Sequence, residues 1–262
     1  MNSQGRFVGP LMVGKESIFV EDDSDSYSFH KTFFIVQTLA QQMARRFNEK
    51  LLAIPGIDKK ATPRVKFLDC IVMVFRNERT FSDKFLLVEK MLDHTKYKKW
   101  NNNDGYVDDD DDGSHRMFSV GHDCTFSIED IPQAYSHFTY LASNRRFLIC
   151  DLQGVLNTNV KPPVFELTDP AAHYVEMTNR KDYGRTDRGE QGIQDFFGTH
   201  KCSGLCHMLL HRWIDQPLDN DIIQYHDALD TKEPALKSVE ETNNTKEGAD
   251  ENPKPKKSVR FG

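Results

Sequence analysis

The segment Thr199–Trp213, THKCSGLCHMLLHRW, constrains the fold more than any other. It places His200, Cys202 and Cys206 within one short stretch, with His207 and His211 further on. Cys202 and Cys206 are four apart, so on a helix they share a face one turn apart. His200 can fold back over the same end. A structural zinc takes four tetrahedral ligands from Cys and His, the thiolates neutralising the ion and the imidazoles limiting the net negative charge. The alternative is that both cysteines are small buried hydrophobes on an amphipathic helix with Leu205 and Leu209. The segment by itself leaves both readings open, because its spacing is looser than paired CxxC motifs.

A fourth ligand has to come from elsewhere. His207 and His211 lie on other faces or too far along. In IEDIPQAYSHFTYLAS, Pro132 stands near a helix start, and Ala134, His137, Phe138 and Leu141 fall on one face. A lone histidine there is ordinarily a satisfied core residue, yet His137 is the better candidate on pattern.

Other elements follow from periodicity. His30–Lys50 has helical spacing at Val36, Leu39, Ala40, Met43, Ala44 and Phe47, closed by Pro55-Gly56. Arg64–Phe75 reads as one buried strand, and Phe85–Leu92 as its antiparallel neighbour after a turn. Arg145–Gly154 reads as a buried strand ending at the polar exit Asp151-Leu152-Gln153-Gly154. The loop LTDP (Leu167–Pro170), the segment YGRTDRG and a helical GEQGIQDFF follow.

The chain has 262 residues, 18 of them Phe, enough for one large domain or two small lobes around a sizeable core. A net charge of −6 gives no reason to expect nucleic acid or an anionic membrane as partner. No apolar run is long enough to span a bilayer, and the N-terminus does not read as a signal peptide. Five cysteines, an odd number, suggest a reducing, cytoplasmic compartment rather than a disulfide framework. The acidic block Asp108–Asp112 reads as a solvated loop, since neighbouring carboxylates supply spaced cation ligands poorly. The last forty or so residues, poor in aromatics, are expected to be disordered.

In order along the chain, SHFTY, DLQGV, LTDP, G-x-T-x-x-G and FF-x-x-H-x-C-x-x-x-C resemble the alpha-kinases, the atypical protein kinases that include myosin heavy-chain and elongation-factor kinases. The resemblance extends upstream through QTLAQQMARRFN and VEKMLDHTKYKKWNNNDGYV, covering roughly Val13–Leu210. It implies an α+β, two-lobed kinase-like fold: a mostly antiparallel sheet in the N-terminal lobe and a mixed α/β C-terminal lobe with a structural zinc. It also implies residues 1–95 as the first lobe, 96–216 as the second and 217–262 as a tail. The zinc ligands it implies are His137, His200, Cys202 and Cys206, a closed set that takes no part in chemistry.

Phosphoryl transfer needs positioned phosphates, metal to spread charge, and a carboxylate to receive the hydroxyl proton. By resemblance Asp151 is the catalytic aspartate with Asp169 beside it, and Gln153 and Asp169 hold Mg²⁺, for which oxygen donors are suitable. Lys15 resembles the strand lysine that contacts ATP phosphates, although the helix His30–Lys50 offers only Glu49 near its end as a glutamate partner. Glu89, Met91 and Leu92 match the linker whose backbone binds adenine. Gly184, Thr186 and Gly189 resemble a Gly-rich loop facing the protein substrate. Without the resemblance, Asp151 and Asp169-Pro170 read as ordinary turn residues and Lys15 as a surface charge.

The implied function is an ATP-dependent serine/threonine protein kinase. Fourteen residues precede Lys15, where the family has strands forming a lid over the phosphates. That departure motivates the alternative, a catalytically weak zinc-stabilised interaction module. Lys257–Phe261, KSVRF, resembles a docking peptide for type-1 protein phosphatases, which such a module would recruit. A zinc hydrolase is excluded because no ligand set leaves an open coordination position beside a base.

Overall fold

The computed structural model describes residues 9–16, 23–76, 83–107, 117–120, 124–175, 183–210 and 237–239. The long helix α1 (Asp23–Leu52) starts seven residues earlier than the apolar stripe alone predicts. Its stripe, from Val36 through Leu39, Met43 and Phe47 to Leu51, is buried as the spacing requires. One side of α1 faces the first sheet, built from β1 (Met12–Lys15), β3 (Cys70–Phe75) and β4 (Lys84–Lys90). β4 lies between β1 and β3 and is antiparallel to both. The short β12 (Lys237–Val239) adds in parallel to the free side of β3. That strand falls within the segment expected to be disordered.

The second sheet has the order β2 (Arg64–Phe67), β10 (Val164–Thr168), β9 (Gln153–Asn157), β5 (Lys98–Lys99). β2 runs parallel to β10, whereas β9 is antiparallel to β10 and to β5. A mostly antiparallel first lobe and a mixed second lobe are thus both present. Helix α2 (Asp130–Ala142) backs the second lobe. Phe47 of α1 meets Tyr135 and Phe138 of α2 edge-on, with ring centroids 5.6 and 5.5 Å apart. The buried Tyr135 hydroxyl donates to the Ala40 carbonyl at 2.9 Å, so this contact leaves no polar group stranded.

One strand expected from sequence is two. The run Arg64–Phe75 breaks at Leu68–Asp69, and its halves join different sheets. The Leu68 carbonyl is taken up by the side-chain amides of Gln37 and Gln41, each at 2.8 Å, rather than by a neighbouring strand. Two glutamines of α1 therefore decide where the chain passes from one lobe to the other. Among the described residues, no helix is long and apolar enough to cross a membrane.

Candidate active site

The strand expected over Arg145–Gly154 is also broken. β8 (Phe147–Cys150) pairs with β11 (Ala171–Tyr174), while β9 pairs with β10. Cys150 is registered with Ala171, and Gln153 with Thr168, so one antiparallel ribbon is interrupted on both chains at the same level. The interruptions are Asp151-Leu152 and Asp169-Pro170. Both aspartates are left-handed, with φ 56° and 52°. Aspartate tolerates that region better than most side chains, and such residues gather at functional sites. The Leu152 backbone is held from both ends: its N–H donates to Asn101 Oδ1 at 2.9 Å, and its carbonyl accepts from Trp100 N–H at 2.7 Å. Gln153 Nε2 lies 3.4 Å from Asp151 Oδ2 and 3.3 Å from the Asp169 carbonyl. Asp151, Gln153 and Asp169 therefore meet at one kink.

Two lysines reach this kink from opposite sides. Lys15 Nζ is 2.5 Å from Glu89 and 2.7 Å from Asp169. Thr168 joins them: its hydroxyl accepts from Lys15 at 3.1 Å and donates to Glu89 at 2.7 Å. Gln37 Nε2 donates to the same carboxylate at 3.2 Å. Lys99 Nζ is 2.5 Å from Asp151. Burial pushes the carboxyls of Asp151 and Asp169 above the usual carboxylate range, and Lys99 and Lys15, respectively, pull them back. The cluster combines two ammonium groups with carboxylate and amide oxygens, all partly exposed. It can neutralise a polyanion, hold a hard divalent cation, and present a carboxylate to a hydroxyl proton.

The three linker residues do different things. Glu89 is 2% exposed, and its side chain is the partner of Lys15. Met91 is 47% exposed, its N–H donates to the Leu11 carbonyl at 2.8 Å, and with Leu92 it lines a cleft of about 250 Å³ beside Asn157 and Glu166. Gly184 and Gly189 both have positive φ, 94° and 61°. The loop between them wraps the buried Asp187 carboxylate, which accepts from the N–H groups of Tyr174 and Gly189 at 3.1 and 2.8 Å, leaving Thr186 exposed. His173 is fully buried behind this loop. Its Nδ1 accepts from Arg188 N–H at 3.2 Å, which puts the proton on Nε2, 3.1 Å from the Asn103 carbonyl.

At the far end of α2 the metal candidates meet. α3 (Gly189–Thr199) ends at His200 in an extended conformation, and α4 (Gly204–Leu210) begins only after Ser203. Cys202 thus precedes the helix rather than sharing a helical face with Cys206. His137, His200, Cys202 and Cys206 nevertheless offer ligand atoms all within 4.8 Å of one another. His137 Nδ1 and His200 Nε2 are 3.1 Å apart, and Cys202 Sγ is 3.6 and 3.7 Å from them. Cys206 Sγ is 3.7 Å from His200 Nε2. A tetrahedron with bonds of roughly 2.0 Å to nitrogen and 2.3 Å to sulfur has edges of about 3.3–3.8 Å, so the donor set fits zinc. Burial pushes the Cys206 thiol up to about 11 and the His137 imidazole down to about 4. Near pH 7 both are neutral unless a cation stands between them. Phe196 stacks on the His200 ring with centroids 5.3 Å apart and fixes its orientation.

The alpha-kinase family model matches residues 5–206. The chain belongs to the alpha-kinase family. Among curated relatives of this alpha-kinase, Dictyostelium discoideum myosin heavy chain kinase B is 29% identical over 174 residues, which are 66% of the chain and 18% of that protein. Mouse eukaryotic elongation factor 2 kinase is 32% identical over 111 residues, 42% of the chain and 12% of that protein. The chain therefore spans less than a fifth of either relative. A crystal structure of the myosin-II heavy chain kinase A alpha-kinase domain in complex with adenosine superposes with a TM-score of 0.51 at 24% identity, covering 76% of the chain and 61% of that one. That likeness establishes the fold.

Lys99, Thr168, Asn101, His173 and Asp187 stand at the site without having been singled out from sequence. Lys99 and Asn101 lie in the polar stretch YKKWNNND, Thr168 in LTDP and Asp187 in GRTDRG. Which members of these runs turn inward appears only in three dimensions. Asp108–Asp112 and Lys257–Phe261 lie outside the described residues.

Proposed function

We propose that this alpha-kinase transfers the γ-phosphoryl group of ATP to serine or threonine hydroxyls of a protein. The observation that carries the reading is the meeting of Asp151, Gln153 and Asp169 at one kink with Lys15 and Lys99 on either side. In this reading Asp151 orients the acceptor hydroxyl and takes its proton. Lys15, fixed by the buried Glu89, contacts the phosphates. Lys99 screens the charge of Asp151 and, once nucleotide is present, faces the transferring group. Gln153 Oε1 and the Asp169 carboxylate are the donors that would hold Mg²⁺, which would spread the phosphate charge when bound. Met91 and Leu92 would border the adenine, and Gly184, Thr186 and Gly189 the protein substrate. The crystal structure with adenosine supports the nucleotide assignment by analogy of fold.

His137, His200, Cys202 and Cys206 would hold zinc that clasps α2 to the segment between α3 and α4. Closed four-ligand sites contribute folding energy, so this clasp would act on stability and not on the reaction. We propose lobes at 1–95 and 96–216, with β2 (Arg64–Phe67) of the first segment contributing a strand to the second sheet.

The test is phosphate incorporation from labelled ATP into a basic protein, with Asp151→Ala as control. Incorporation by the native chain that disappears in Asp151→Ala, with phosphoserine or phosphothreonine recovered, is the expected result. Equal incorporation by the variant overturns the assignment.

A further inference from the structure

We infer that Asn101 is a positioning residue for Asp151, tying the turn that carries this carboxylate to the helix that carries His137. The inference rests on the assignment of Asp151 as proton acceptor.

Leu152 sits between Asp151 and Gln153, where neither β8 nor β9 supplies its backbone with partners. Asn101 and its neighbour supply them all. Asn101 Oδ1 accepts from Leu152 N–H at 2.9 Å, and the N–H groups of Trp100 and Asn101 reach the Leu152 carbonyl at 2.7 and 3.4 Å. The other end of the Asn101 amide donates to Ser136 Oγ at 3.0 Å. Asn101 is 1% exposed and Ser136 is fully buried, so both bonds are shielded from bulk solvent. Thr139, also on α2, accepts from Ile149 N–H at 2.9 Å. α2 is thus bonded directly to the strand before Asp151 and, through Asn101, to Leu152 after it.

A side-chain amide meets this arrangement because it offers an acceptor and a donor at opposite ends. Without it the Leu152 N–H is buried and unpaired, an unfavourable state relieved by relaxing the left-handed turn. Relaxing that turn moves the Asp151 carboxylate. Asn101 touches neither the carboxylate nor the nucleotide cleft, so its effect passes through Leu152. Ser136 adjoins His137, and the turn and the metal cluster therefore share one rigid helix.

The experiment compares variants of the 262-residue chain in steady-state turnover on a basic protein. Asn101→Ala should lower kcat by about 100-fold while KM for ATP stays within about twofold, as a displacement near 1 Å would do. Ser136→Ala should lower kcat by a smaller factor, on the order of tenfold, and the double variant should be no worse than Asn101→Ala, because Ser136 acts through Asn101. Tyr135→Phe, which removes an equally buried bond on α2, should lower the unfolding temperature and leave kcat unchanged. Native kcat in Asn101→Ala beside an inactive Asp151→Asn overturns the inference, as does a kcat loss matched by Tyr135→Phe at equal loss of stability. If Asn101→Ala does not fold, native kcat in Ser136→Ala overturns it. An active Asp151→Asn instead overturns the assignment of Asp151 itself, and the inference with it.

Discussion

Lys15 and Glu89 form a 2.5 Å ion pair across adjacent antiparallel strands, with the lysine two residues beyond the position registered with Glu89. Strand neighbours at that diagonal reach one another on a common face. The glutamate comes from β4, not from α1, and among the described residues α1 gives it the Gln37 amide. Removing the lysine leaves a buried carboxylate with neutral partners alone. Lys15→Met should therefore destabilise the fold by about 3 kcal/mol, and Lys15→Met/Glu89→Gln should be more stable than Lys15→Met alone. Denaturant unfolding of both variants measures this, and a double variant less stable than the single one contradicts the pairing.

The grouping of His137, His200, Cys202 and Cys206 predicts one zinc per chain by atomic emission. Cys206→Ser or strong chelation should lower the unfolding temperature by about 10 °C or more, at roughly 2–4 °C per kcal/mol for a chain of this size. Stoichiometric zinc that is lost without any change in unfolding temperature would contradict a structural role.

The Asp151 carboxyl is raised by burial and lowered by Lys99. In its proposed role as proton acceptor it must be ionised, so the acid limb of kcat/KM should lie above the usual aspartate range. Lys99→Met removes the lowering influence and should move that limb to still higher pH. The same shift has a sign for stability. A carboxyl whose folded pKa is raised favours the folded state below its unfolded value, and that contribution is lost as pH rises through the folded value. An acid limb unmoved in Lys99→Met would separate Asp151 from the observed titration.

Gly154 follows the kink with φ 149°, and a Cβ there would run into the Glu166 carbonyl of β10. Gly154→Ala should therefore destabilise by more than about 3 kcal/mol, through backbone strain and displacement of β10. A thermal scan checks it: an unfolding temperature within 2–3 °C of the native chain would show that the ribbon is looser than its geometry implies.

The ligand types and the buried stripe of α1 were legible in the sequence, because a local period or a residue type with few alternative uses survives in a short window. The two aspartates stood out only through the resemblance of DLQGV and LTDP to the alpha-kinase motifs. The break at Leu68–Asp69 was not legible; at Asp151 the polar exit was, but not that the chain resumes at Gln153 as a strand of another sheet. Arg64–Phe75 and Arg145–Gly154 keep an apolar character that marks burial but says nothing of which sheet each half joins. Gln37 and Gln41 decide the first break by taking the Leu68 carbonyl, and Asn101 serves the second through Leu152. Likewise Lys15 finds Glu89 and Asp169, and Lys99 finds Asp151, only because separate strands are brought side by side. Spacing along the chain determined which residues were chemically suited to a site. Which of them meet was decided by tertiary structure, because partner choice depends on burial and strand pairing between residues as far apart in sequence as Lys15 and Asp169.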